Sequence, residues 1–208
     1  MSGRRMLGKP YPLGKRIFDL VAGSFLLLCS LPLWPVIALM ILVEDGFPVF
    51  VRIPRVSEGR EMRVIKFRTM VKGAHGMKKK LMHLNERKDG PFFKMRNDPR
   101  LLQMGKIIRR FRVDELPQLL NVLAGTLALV GPRPHEPEEV AHYPEEFRVL
   151  TGARAGVTGL SQISGAASLP FLKELELDME YLKRYSFLED VRILFMTFFI
   201  FIFDPTGV

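Results

Sequence analysis

Hydrophobic positions crowd into one stretch near the start of the chain and scatter through the rest. Leu20 to Val43, LVAGSFLLLCSLPLWPVIALMILV, carries no charge. It is longer than the ~20 residues that cross a bilayer as a helix. It is too long for a secretory h-region and has no clear small-x-small cleavage site. Pro32 and Pro35 fall near its middle. Each removes a backbone hydrogen bond and presses on the carbonyl four residues back, those of Leu28 and Leu31. Two outcomes satisfy the backbone: a kinked helix that spans, or a helix that bends back and leaves where it entered. Length and periodicity favour the span. The flanks favour the return. Lys15 and Arg16 precede the run, Glu44 and Asp45 follow it, and basic flanks stay cytoplasmic. A single span would put the basic remainder outside, whereas a re-entrant hairpin keeps both ends on one face.

The remainder predicts a mixed α/β chain, mainly helical, with short strands. Residues 1–14 form a basic, Gly/Pro-rich arm, residues 15–45 the membrane segment, and 46–208 the main domain. Phe47 to Phe50 reads as a short strand or an interfacial anchor. Met62 to Met70, MRVIKFRTM, alternates as a strand does, with Lys66 and Arg68 on one face. Lys78 to Leu84 is a basic helical face, open to solvent or to anionic lipid. Leu101 to Arg110 predicts a short amphipathic helix, and Thr126 to Val130 a strand. His135 to Phe147 reads as acidic surface, and Gly152 to Gly165 as a Gly-rich loop without Walker spacing. Leu169 to Tyr185 predicts a helix bearing Glu174, Glu176, Asp178 and Glu180. Ile193 to Phe203 is apolar and too short to span; it suits a core helix or a membrane interface.

Composition narrows the partners. The net charge of +9 calls for an anionic one: nucleic acid, phospholipid or a phosphorylated substrate. No recognition helix, finger or aromatic platform argues for nucleic acid. Cys29 is the single cysteine, so no disulfide forms within one chain. His75, His83, His135 and His142 show no ligand spacing and are expected at the surface.

The richest chemistry lies in Phe111 to Pro134, FRVDELPQLLNVLAGTLALVGPRP. Asp114 and Glu115 follow the cationic run Arg109, Arg110 and Arg112. Asp114 sits at an expected helix N-cap, ahead of the stripe Leu116, Leu119, Leu120 and Leu123. Pro117 then falls in the first turn and Gly125 marks the stop. A helix start keeps a carboxylate ionised and attracts phosphate. That combination suits nucleophilic attack on phosphorus. Taken alone, the same residues also suit a plain helix cap beside solvated arginines. In the turn Gly131 to Pro134, prolines on both sides partly preset the direction of Arg133.

Together these residues resemble the bacterial monotopic phosphoglycosyl transferases, also called bacterial sugar transferases or undecaprenyl-phosphate sugar phosphotransferases. The matching motifs are KRIFD (Lys15–Asp19), KFRTM (Lys66–Met70), NDPR (Asn97–Arg100), VDELPQLLNVL (Val113–Leu123), VGPRP (Val130–Pro134), GVTGLSQISG (Gly156–Gly165) and ELD (Glu176–Asp178). The DELPQL and GPRP pair is the most specific. The resemblance implies transfer of a sugar 1-phosphate from a UDP-sugar to polyprenyl phosphate, with release of UMP. It implies an aspartyl-phosphosugar intermediate, a Mg2+ cofactor and a role in surface glycan or exopolysaccharide synthesis. It also implies a re-entrant first helix broken at Pro32 and Pro35, membrane lipids as neighbours, and an active site on the cytoplasmic face of the inner membrane. By motif, Asp114 is the nucleophile and Glu115 its metal or acid/base partner. Arg133, Arg109 and Lys66 contact substrate phosphate, and Asp190 joins Asp114 and Glu115 near the metal. Three departures stand out. The serine of the helix break is displaced to Ser30, Ala155-Gly156 replaces a Pro-Gly, and Gly165-Ala166 lacks an arginine. The rival reading is a non-catalytic basic membrane adaptor, which leaves Asp114, Glu115 and Arg133 idle.

Overall fold

The computed structural model describes residues 5–6, 9–165 and 168–203. A short pair of strands, β1 (Arg5–Met6) and β2 (Lys9–Pro10), precedes the apolar run. The run forms α1, Leu13–Ser30, and α2, Trp34–Asp45, joined by a 3-10 turn at Leu31–Leu33. Pro32 cannot donate to the Leu28 carbonyl, so the N–H of Leu31 does. Pro35 cannot donate to Leu31, and the N–H of Trp34 takes that carbonyl in the same way. The tighter 3-10 pattern refills both acceptors that the prolines leave open. The Ser30 hydroxyl donates to the Leu27 carbonyl at 2.8 Å and accepts from Trp34 Nε1 at 3.2 Å, so the displaced serine still braces the break. Leu13–Asp45 is long and apolar enough to cross a membrane. Ile17, Val21, Phe25, Leu28, Leu39 and Val43 point their apolar surface outward from it.

Both ends of this helical pair are fastened to the rest of the chain. The flanking charges are tertiary contacts as well as topological signals. Lys15 Nζ lies 2.5 Å from Asp190, and both groups are buried. Arg16 donates from Nη1 to the Val122 carbonyl at 2.7 Å and from Nη2 to that of Leu123 at 2.8 Å. At the other end, Glu44 accepts the N–H groups of Gln103 at 2.5 Å and Met104 at 2.8 Å, and Asp45 pairs with Arg68.

The hairpin β3 (Phe50–Ser57) and β4 (Arg60–Phe67) pairs antiparallel, with Ile53 opposite Val64. Glu58 and Gly59 close it with φ of 52° and 72°, the positive pair that a two-residue hairpin turn demands. β4 stops at Phe67, short of the expected Met70; the Arg68 N–H still reaches the Val49 carbonyl at 2.8 Å, and Met70 bridges to Leu101 instead. Helices α3 (Ala74–Leu81), α4 (Gln103–Arg110) and α5 (Gln118–Ala124) follow. Strand β5 (Ala128–Val130) pairs in parallel with β6 (Gly156–Thr158). Between these strands lie α6 (Pro137–Val140) and a 3-10 stretch, Glu145–Gly152. Helices α7 (Leu160–Ile163), α8 (Phe171–Lys183) and α9 (Phe187–Phe203) follow.

The larger core gathers Val64, Val122, Leu127, Leu129, Leu175 and Ile193. A smaller one joins Ile37 and Ile41 of α2 to Val49, Phe67 and Ile108. The apolar run thus supplies one wall of a core. α9 divides similarly: Ile193 is fully buried while Leu188, Phe195 and Phe198 are exposed. Its inner side is core, and its outer side is free to meet a membrane interface.

Candidate functional site

Asp114 belongs to a 3-10 turn, Val113–Glu115, and not to the helix that follows. α5 begins at Gln118, with Pro117 at its N-cap position, so the expected N-cap role of Asp114 is overturned. The expected leucine stripe also shifts: Gln118, Leu119, Asn121 and Val122 are buried, and Leu120 is exposed. Asn121 faces inward because β4 needs partners there. Its Oδ1 accepts the Ile65 N–H at 3.0 Å and its Nδ2 donates to the Arg63 carbonyl at 2.9 Å. The helix does stop at Gly125, whose φ is 78°.

That clasp brings the end of β4 to the turn. Lys66 Nζ lies 2.5 Å from Glu115 Oε1. Asp114 is buried, and no other residue's side chain is hydrogen-bonded to it among the described residues. Burial pushes its carboxyl above the ordinary range; Lys66 opposes the rise and the adjacent Glu115 adds to it. Burial acts on Glu115 too, but the Lys66 charge and hydrogen bond, helped by Arg133 and Arg112, hold it below the ordinary range. The two carboxylates therefore differ in character. One is ion-paired and anionic, the other buried, unpaired and more basic. A helix dipole plays little part in this, since α5 starts beyond both.

Arg109 and Arg133 flank the pair. Arg109 donates from Nε to the Thr69 hydroxyl at 2.8 Å; burial lowers its pKa, against the attraction of Asp114. Arg133 is held where β5 meets β6. A Cβ on Gly156 would stand 2.1 Å from the Gly131 nitrogen, so the turn packs there only because both are glycines. The Arg133 N–H donates to Asp178 Oδ2 at 2.9 Å, and its Nε lies 3.4 Å from Glu174. Burial would weaken the Arg133 cation, but Glu174 and Glu115 outweigh it and raise its pKa.

Behind Arg133 lies a polar group that sequence reading missed. His135, expected at the surface, is buried between Glu174, 2.7 Å from its Nε2, and the Tyr143 hydroxyl at Nδ1. Its ring meets that of Phe92 in a T-shaped contact, centroids 5.0 Å apart. Glu174 and Asp178 stand one turn apart on α8 and both face inward, a spacing that was readable. Burial, only partly offset by the Arg133 N–H, pushes Asp178 up to about 6. Asp178 Oδ1, Ser161 Oγ and Gln162 Oε1 are buried without a hydrogen bond. The cavity bordered by Arg133, His135, Tyr143 and Asp178 measures about 10 Å³, room for one water and not for a sugar nucleotide. A substrate would meet the open sides of Glu115 and Arg133, each 36% exposed at the side chain.

Asp190 stands apart from this group. Its Oδ2 is taken by Lys15 at 2.5 Å and its Oδ1 by the Tyr181 hydroxyl at 2.6 Å. Among the described residues no three His, Cys, Asp or Glu side chains cluster to hold a metal. Asp114 and Glu115 together still offer two adjacent carboxylates. That set fits Mg2+, which binds through one or two carboxylates plus substrate phosphates and water. Ala166, where an arginine is missing, lies outside the described residues.

A sequence model for a family described as bacterial sugar transferase matches residues 11–204. The exopolysaccharide production protein ExoY of Rhizobium meliloti is 33% identical over 91% of this chain and 87% of its own length. The undecaprenyl-phosphate glucose phosphotransferase of Komagataeibacter xylinus is 35% identical over 93% of this chain. The undecaprenyl-phosphate galactose phosphotransferase of Salmonella typhimurium is 35% identical over 88%. The chain spans only 37% and 39% of the lengths of these last two proteins, and 39% of the UDP-galactose-lipid carrier transferase of Erwinia amylovora.

Proposed function

The chain belongs to the bacterial sugar transferase family, and from that premise we propose that it moves a sugar 1-phosphate from a UDP-sugar to polyprenyl phosphate. The observation that carries this reading is the convergence of Lys66, Arg109 and Arg133 on the Asp114–Glu115 turn. An anionic nucleophile approaching an anionic diphosphate needs such a positive surround. A carboxylate oxygen of Asp114 attacks the sugar-linked phosphorus; the bond to the bridging oxygen breaks and UMP leaves. A phosphate oxygen of the polyprenyl phosphate then attacks the same phosphorus and displaces the Asp114 carboxylate. Glu115 stays anionic beside Lys66, and Arg133 and Arg109 hold the phosphate oxygens. Mg2+ held by Asp114 and Glu115 would neutralise developing charge on the diphosphate. Asp190 lies outside this proposal because both its oxygens are already bonded.

The lipid acceptor calls for a membrane-held enzyme, and we read the apolar hairpin as re-entrant on the cytoplasmic face of the inner membrane. Support comes from its two ends. Lys15 and Arg16 at one, and Glu44 and Asp45 at the other, all bond to the same body. Cysteine labelling at both ends in intact cells, on a Cys29-free background, is expected to find both shielded. Labelling of one end from outside contradicts the hairpin.

The chemistry is tested with UDP-sugars and no acceptor. The protein is expected to gain the mass of one sugar phosphate on the peptide containing Asp114. Glu115→Gln should slow turnover yet still allow some adduct. An adduct on Glu115 would reverse the two roles. Absence of UMP release with every UDP-sugar, acceptor present, would leave the membrane-adaptor reading standing. Chelation of Mg2+ is expected to stop turnover, and its return to restore it.

A further inference from the structure

Arg112 is one of two non-glycine residues with positive φ among those described, at φ 51° and ψ 16°. The other, Glu58, sits in a hairpin turn that demands it. A left-handed backbone crowds any Cβ, and glycine or asparagine fills such a position more easily. Arginine there must be explained by its side chain. Yet that side chain has no hydrogen bond or ion pair among the described residues, and its Nε is buried with no partner.

Buried arginines elsewhere are ion-paired, although one nitrogen of Arg154, Nη1, is also unmet. Arg100 is bonded to Asp98 at 2.6 Å, and Arg154 to Glu58 at 2.9 Å. Arg109 uses its Nε on Thr69. Arg112 is adjacent to the Val113–Glu115 turn and near enough to Glu115 to help hold that carboxylate ionised. Strained backbone and an unmet buried donor beside a reacting group mark a place where a ligand completes the hydrogen bonding.

We propose that Arg112 is a phosphate-binding residue of the transfer site, its guanidinium donating to a non-bridging oxygen of the donor's diphosphate. The proposal rests on the sugar-phosphate transfer reading above for the identity of that anion. Three arginines then surround the reacting phosphorus, and Arg112 is the one left unpaired by the protein. Its guanidinium offers that oxygen an N–H fixed in a plane, which the freely rotating ammonium of a lysine does not reproduce.

Arg112→Gly separates a ligand role from a conformational one. Glycine relieves the left-handed strain, so the full-length variant should melt no lower than the native protein. Transfer at low UDP-sugar should nevertheless fall by about ten- to a hundredfold, the loss of one charge-assisted hydrogen bond. UDP affinity, measured by calorimetry with Mg2+ present, should fall by a similar factor. Arg112→Lys should recover part of both. If glycine disturbs folding, Arg112→Asn, which tolerates the same backbone, replaces it. Native transfer and native UDP affinity in a folded Arg112→Gly or Arg112→Asn variant overturn the proposal and leave the transfer reading intact. If the native protein transfers no sugar phosphate, that reading fails instead. UDP binding then decides Arg112 alone: weaker binding by the variant supports it, and equal or absent binding refutes it.

Discussion

Asp114 and Asp190 are both buried aspartates, and in both cases burial pushes the carboxyl upward. Their neighbours could hardly differ more. Asp190 has each oxygen bonded, one to the Lys15 ammonium and one to the Tyr181 hydroxyl. Asp114 has no such partner among the described residues, and the cation that acts on it most, Lys66, is bonded to Glu115 instead. Burial alone therefore does not mark a reacting carboxylate. A fully bonded one holds the fold; an unbonded one retains lone pairs for chemistry.

The widest separation of the two should come from Asp114→Asn. UMP release is expected to vanish, while the melting temperature holds or rises. The sign follows from the raised carboxyl. Its protonated form suits the fold better than its anion, so its contribution is full below the unfolded value of about 4 and is lost as pH climbs through the folded value. Asparagine keeps the neutral shape at every pH. Thermal melts beside a UMP assay measure both, and an active variant collapses the comparison.

Asp190→Ala should act on stability, by about 3–5 kcal/mol, because Lys15 is left buried and unpaired. The double change Lys15→Met, Asp190→Leu should recover most of that loss. Denaturant melts of the four proteins in lipid nanodiscs give the cycle. A double variant as unstable as Asp190→Ala would mean that the network acts through more than this pair.

Asp178 offers an intermediate case, with one oxygen bonded and one not. Its carboxyl is raised to about 6, so it too stabilises below about pH 4 and loses that effect as pH passes 6. Native protein minus Asp178→Asn should show a stability difference that tilts over that window by at most about 3 kcal/mol. A flat difference would remove Asp178 from the comparison.

The smallest effect is expected at Arg133. Arg133→Ala should fold normally and lose about ten- to a hundredfold in transfer at low UDP-sugar, or about 1.5–3 kcal/mol. Wild-type turnover in a folded variant would falsify its phosphate role.

The helix break at Pro32 and Pro35 was legible because proline acts on the hydrogen bonds of its own helix. So were the Asp114–Glu115 pair and Arg133, which lie in contiguous motifs. What escaped depends on partners distant in the chain. Asp114 reads as a helix cap until Asn121 is seen clasping β4, which fixes the turn. Lys15, Arg16, Glu44 and Asp45 read as flanking charges, although each bonds to a residue far along the chain. His135 looked like surface because it opens an acidic, proline-interrupted stretch, and only the fold brings Glu174 to it. Arg112 stood out as part of the cationic run, but nothing in the sequence announces its left-handed backbone.

The stretch from Gln103 to Ala124, which carries Asp114 in its middle, is gripped at both ends by the apolar helical run. Glu44 holds the first N–H groups of α4, and Arg16 holds the last carbonyls of α5. Deleting the first 45 residues to make a convenient soluble protein would uncap both helices at once. Detergents that loosen the ends of the run are expected to slacken the same grip, seen as a lower melting temperature. The lipid or detergent chosen for an assay therefore bears on the geometry of the Asp114 turn, and is to be controlled as deliberately as temperature or salt.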